Sequence, residues 1–95
     1  MHAKIHKQGN EVLIAACDAE LIGKTLEDGE IFMEIKETFY GKKTTEAELK
    51  LLFKNATTGN LIGEKVIKLA LNANIISEDN IIKIKGIPHA QFVFL

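Results

Sequence analysis

The 95 residues suffice for one hydrophobic core and are too few for two, so the chain reads as a single domain over 1–95. With 46% apolar and 26% charged residues and a net charge of −1, it excludes the disordered class and a strongly basic nucleic-acid binder. All twelve cations are lysine, so the planar fork that grips phosphate or guanine is absent.

In chain order, His2 to Lys7 predicts a strand, Gln8-Gly9-Asn10 a turn and Glu11 to Cys17 a second strand, the pattern of a β-hairpin. The second strand is apolar on both sides, Val12, Ile14 and Ala16 against Leu13, Ala15 and Cys17. Such a strand belongs near the sheet centre with both faces covered. It is also the longest apolar run, far short of the roughly 20 residues that cross a bilayer. With no signal-peptide block in Met1-His2-Ala3-Lys4, the expectation is a cytoplasmic protein.

Asp18 to Ile22 predicts one helical turn capped by Asp18 and stopped by Gly23. A short strand over Lys24–Leu26, a turn at Asp28-Gly29 and a strand over Ile31–Ile35 follow. Phe39-Tyr40-Gly41-Lys42-Lys43 reads as an exposed loop. Thr45-Glu46-Ala47-Glu48 fits a capping box that starts a helix. Leu49, Leu52, Phe53 and Ala56 make its apolar stripe, and Glu46–Lys50 its favourable surface pair. Thr57-Thr58-Gly59-Asn60 breaks that helix and caps a second, Leu61 to Asn72, with Asn74 as a left-handed stop. The wide apolar arc of the second helix implies burial against the sheet and a further neighbour, either the first helix or another subunit. After a turn at Ser77–Asn80, Ile81 to Lys85 alternates as a strand with one wet face. Gly86-Ile87-Pro88-His89 predicts a bend, and Gln91 to Leu95 a terminal strand tied into the sheet.

Four ordered motifs carry a resemblance that spans essentially the whole chain. They are Cys17-Asp18 with Leu21-Ile22-Gly23-Lys24-Thr25, then Phe39-Tyr40-Gly41, then Asn60-Leu61-Ile62-Gly63-Glu64, then Gly86-Ile87-Pro88-His89-Ala90-Gln91. Together they resemble the small archaeal domain-of-unknown-function family numbered four-twenty-four. Lys42 departs from the glycine or small residue expected after Gly41. The resemblance implies an archaeal cytoplasmic protein with a translation-related genomic setting, and no activity to carry over.

Chemistry could reside in a few places, each with a plain structural alternative. His89 beside Pro88 could move a proton or contact a ligand; alternatively Pro88, cis or trans, shapes a turn that His89 fixes by bonding a carbonyl. No acid or nucleophile stands at a recognisable spacing to complete a catalytic group around it. Cys17 before a helical turn could be an activated thiol, against which stand the neighbouring Asp18 charge and the habit of free cysteines to be buried; a Cys17–His89 dyad is the remotest option. His2 and His6 share a strand face but lie about 13 Å apart, too far to share a metal ion, and read as surface residues. The lone cysteine provides no disulfide or zinc pair, so neither metal nor cofactor is expected. The Thr57–Asn60 loop leading into Gly63 offers backbone N–H groups to an anion, or simply caps. The acids Glu27, Asp28, Glu30, Glu34 and Glu37 read as a solvated face.

The architecture expected is α+β, in the order β-β-β-α-α-β-β. A mainly antiparallel sheet is built from the N-terminal hairpin, the Ile31 strand and the two C-terminal strands, with two central helices on one face. The function expected is a non-enzymatic binding module for a protein partner or a second copy. Its contacts are expected at Tyr40, Gly41, Asn60, Gly63, Pro88, His89 and Gln91. The alternatives are a small enzyme using His89 as acid or base, and RNA binding through Lys42, Lys43, Lys83 and Lys85 with Phe39 or Tyr40 stacking.

Overall fold

A computed structural model describes residues 1–94; the part of the terminal strand expectation that falls on Leu95 lies outside the described residues. The elements in order are β1 (His2–Gln8), β2 (Glu11–Cys17), a 3₁₀ turn (Ala19–Leu21), β3 (Thr25–Asp28), β4 (Ile31–Glu34) and α1 (Glu37–Tyr40). They continue with β5 (Lys42–Lys43), α2 (Glu46–Phe53), β6 (Thr58–Ile62), α3 (Glu64–Asn72), a 3₁₀ turn (Glu78–Asn80), β7 (Ile81–Ile84) and β8 (Ile87–Val93). The class is α+β, as expected. Six strands form one sheet in the order β5-β1-β2-β6-β8-β7, antiparallel throughout except for the central β2–β6 pair, which is parallel.

Alternation along the strands divides the apolar residues into two cores. On the first face Ile14, Ala16, Leu61, Ala90 and Phe92 pack against Leu49 and Phe53 of α2 and Val66, Ile67, Leu69 and Ala70 of α3. On the second face Ala15, Cys17, Ile62 and Ile84 pack against Leu21, Leu26, Ile35 and Tyr40. The expectation that both faces of β2 are covered holds at its C-terminal half, where Ile14 through Cys17 are all fully buried. Among the described residues, no helix is long and apolar enough to cross a membrane.

Several local expectations are corrected. The second helix begins at Glu64 rather than Leu61, and Thr58–Ile62 is a strand in the middle of the sheet. Gly59 is there because Phe92 of β8 lies across its α-carbon, where a side chain would collide with the ring. The Ile31 strand does not join the main sheet; it pairs with β3 as a separate hairpin over the second face. The bend expected at Ile87–His89 is the start of β8, and the chain reverses instead at Lys85-Gly86, both with positive φ (53° and 78°) as a type I′ turn requires. Pro88 is trans and stands opposite Lys83. That pair is one removed from the turn and does not exchange ladder hydrogen bonds, so the missing N–H costs nothing toward β7.

Caps differ in the same local way. Thr45 accepts from Glu48 N–H (3.2 Å), but the Glu48 carboxylate accepts from the Thr44 hydroxyl (3.2 Å), so only half of the expected capping box forms. The Glu46–Lys50 pair is present at 3.5 Å, and Asn74 is left-handed with φ 60°, both as read from the sequence. Asp18 does not cap the turn beside it. Its buried carboxylate instead accepts from Lys65 N–H (3.0 Å) and Val66 N–H (2.9 Å), capping α3 from 47 and 48 residues away.

Candidate functional site

The cross-strand register places one set of side chains on the second face: His2, Lys4 and His6 of β1, Leu13 of β2, Thr58 and Asn60 of β6, and His89, Gln91 and Val93 of β8. Asn60 is at the centre of this set, with Ala15 beside it on one strand and Gln91 on the other.

Helix α1 covers part of that face. It has four residues, too few to be stable by itself, and its carbonyls lack partners within the helix. The β1 side chains supply them. His2 Nδ1–H donates to the Gly41 carbonyl (2.7 Å), Lys4 Nζ to the Thr38 carbonyl (3.0 Å) and His6 Nε2–H to the Phe39 carbonyl (2.8 Å). Each histidine nitrogen must be the donor, since a carbonyl only accepts. Residues two apart on a strand thus take hold of three carbonyls in α1 and at its C-cap, those of Thr38, Phe39 and Gly41. This overturns two readings. His2 is buried rather than a surface residue, and Phe39–Lys43 is a helix end followed by β5, which pairs with β1, with Tyr40 only 1% exposed.

Tyr40 crosses the second core to donate its hydroxyl to Asn60 Oδ1 (2.7 Å). Burial first, and then the neighbouring Cys17, raise its pKa, so the phenol keeps its proton as donor. Asn60 is half-buried, and Gln91, its partner on β8, is exposed. Beyond α1 the face is open. The His6 ring stacks on Phe39 with centroids 4.9 Å apart, and Leu13 and Thr58 are half-buried in a row with Val93, which is 63% exposed. A depression of about 530 Å³ lies at this end, lined by His6, Lys7, Glu11, Leu13, Phe39 and Thr58.

The groups considered for catalysis stand apart. His89 is 8% exposed and donates Nδ1–H to the Leu61 carbonyl (2.7 Å), and burial lowers its pKa. It is therefore neutral near pH 7, with Nε2 as the lone-pair nitrogen. It borders a depression of about 220 Å³ whose other lining residues are Asn80, Ile82, Ala90 and Gln91, none of them a carboxylate or thiol. Cys17 is fully buried, its thiol pushed up to about 12 by burial and then by the Asp18 charge. Cys17 is opposite Ile62 and Ile62 opposite His89, so a strand separates the two by roughly 10 Å and no dyad forms.

Gly63 and Pro88 extend the pairing of β6 with β8 by one residue. Gly63 N–H donates to the Pro88 carbonyl (2.9 Å), and Gly63, at φ 116°, lets the Asp18 carboxyl pass where a side chain would stand. The anion site considered at Thr57–Asn60 is thereby accounted for: those residues lead into and form β6, and two amides at the start of α3 are taken by Asp18. Of the sequence-picked residues, Tyr40, Asn60 and Gln91 come together and His89 follows on β8; Gly41 lies at the β1 edge. The acids belong to the outer hairpin and its exit, where Asp28 accepts from Lys85 N–H (2.9 Å) and Glu34 pairs with Lys36 (3.6 Å). Lys42 and Lys43 are on one edge strand of the sheet and Lys83 on the opposite edge strand, with Lys85 in the turn that follows it, so the four form no common patch. His6, Leu13, Phe39, Thr58 and Val93 form a shelf at this end of the face that no sequence motif marks: strand register brings His6, Leu13, Thr58 and Val93 together, and α1 adds Phe39 on the His6 ring.

The model for the family described as "Protein of unknown function (DUF424)" matches residues 5–95. The chain belongs to the DUF424 family. None of the curated proteins matches it. The DUF424 chain is also similar to a solved structure, an uncharacterized conserved protein from Methanopyrus kandleri, at 26% identity and a TM-score of 0.82, covering 99% of this chain and 90% of that one. The four sequence motifs therefore identify the right family, and the fold extends to an archaeal relative.

Proposed function

We propose that this protein is a non-catalytic binding module that engages a protein partner through the open half of its second sheet face. The observation that carries the reading is the partly exposed apolar row of Leu13, Phe39 and Val93, which lies beside the Tyr40–Asn60 hydrogen bond on the part of the face that α1 leaves uncovered. Apolar area beside a polar contact fixed at the sheet centre combines burial with orientation, the two ingredients of a specific contact surface. The archaeal translation setting implied by the family resemblance is where such a partner is sought first.

The test is affinity capture from native extract with four baits: the wild type, Leu13→Glu, Val93→Glu, and Leu51→Glu as a control, Leu51 being 61% exposed on the opposite layer. A partner kept by Leu51→Glu and lost by both shelf variants supports the reading. Equal retention by all four baits, or capture of RNA alone, overturns it.

A further inference from the structure

The two long helices hold a second surface, independent of the sheet shelf. The facing sides of α2 and α3 enclose two adjoining depressions that share Leu69 and Asn72, about 270 and 400 Å³ in volume. The three lysines of this helix pair and Lys54 at the C-cap of α2 line them: Lys50 and Lys54 on one wall, Lys65 and Lys68 on the other. Of the acids on the two helices, only Glu46 lines the groove, and it is paired with Lys50 (3.5 Å). Glu48 is turned to Thr44 instead, and Glu64 is not part of the lining. Four cations against one anion stand here in a chain whose net charge is −1, so the positive charge is concentrated by helix register rather than by composition.

The floor of the larger depression is apolar, from Phe53, Leu69, Ala73 and Ile75. We infer that the α2–α3 groove is a docking site for an acidic peptide segment carrying an aliphatic anchor. Carboxylates would meet the lysine walls, and the anchor would fill the floor beside Ile75. A nucleic acid fits less well. Phe53 is 3% exposed and offers no face for a base to stack on, and ammonium groups grip phosphate without the bidentate geometry of arginine.

The experiment is an amide-resolved NMR titration of the full chain with three probes. The first is a synthetic peptide of roughly 12 residues, about three helical turns, bearing aspartates and glutamates with leucines at helical spacing. The second carries serine in place of each leucine, and the third is an oligouridylate of about the same length. Saturable shifts at Lys50, Phe53, Lys54, Lys68, Leu69 and Asn72 are expected with the first peptide alone. Binding should weaken about tenfold in the exposed-site double variant Lys54→Glu/Lys68→Glu, and also when salt is raised from roughly 50 to 500 mM. No saturable shift, equal binding of the serine peptide, preference for the oligouridylate, or an unchanged affinity in the double variant would each overturn the proposal.

Discussion

The two faces of one sheet are covered by different physics. On the first, α2 and α3 have eight and nine residues and hold on mainly through buried Leu49, Phe53, Val66, Leu69 and Ala70, with the Asp18 carboxylate on the start of α3 as a polar tie. On the second, the cover is a 3₁₀ turn, a two-stranded hairpin and a four-residue helix. These bury Leu21, Leu26, Ile35 and Tyr40, and the sheet adds polar ties to α1 through side-chain donors to its carbonyls and through Tyr40 on Asn60. The short cover of the second face stops partway along the strands, and the open shelf lies beyond it.

The largest effect that would sharpen this contrast is expected from the first face. Leu49→Ala removes a fully buried side chain between α2 and the sheet and should cost about 2–5 kcal/mol, read as a lower urea midpoint. Gly63→Ala should come next, at roughly 3 kcal/mol. It adds left-handed backbone strain and drives the Asp18 carboxylate off the amides of Lys65 and Val66. An α3 that keeps its amide protection in this variant would show that the remote cap is dispensable.

Tyr40→Phe removes one hydroxyl and should cost about 1 kcal/mol overall. Its hydrogen-exchange signature is the sharper readout: faster exchange over Glu37–Gly41 with α2 and α3 unchanged. Uniform acceleration across both faces would break the distinction drawn between them. The smallest effect concerns pH. Unfolded His89 takes up a proton near 6.5, while burial holds its folded-state pKa below that value. Between the two the unfolded chain binds more protons, so the His89 contribution is complete above pH 6.5 and is lost as pH falls through that window. His89→Asn, which keeps a donor near the Nδ1 position for the Leu61 carbonyl, should flatten the fall in stability between roughly pH 7 and 5. An unaltered slope would mean that other groups set the acid limb.

Much of the outline was legible because it rests on local patterns. The N-terminal hairpin, the α2 stripe, the Glu46–Lys50 pair and the left-handed Asn74 each depend on residues within a few positions of one another. The strand β6 was not. Thr58-Gly59-Asn60-Leu61-Ile62 carries glycine and asparagine, which read as a break, and its two apolar residues run straight into the pattern of α3. A central strand with glycine on one face and asparagine on the other loses the apolar alternation that marks strands, and only β-branched Thr57 and Thr58 with the Gly63-Glu64 boundary hinted at it. The site fared similarly. Tyr40, Asn60 and Gln91 were picked one by one from motifs, but their meeting depends on which strands are neighbours.

The sequence by itself determined the elements whose signals are local: the α+β class, the central place of β2, the covering helices and the family. Tertiary structure alone decided that Asp18 caps α3, that His2, Lys4 and His6 secure α1, and that half of one sheet face stays open. The physical reason is range. Periodicity and capping act over one or two turns, whereas strand order and remote hydrogen bonds join residues more than 30 positions apart, and nothing in a short window of sequence encodes which distant partner will arrive.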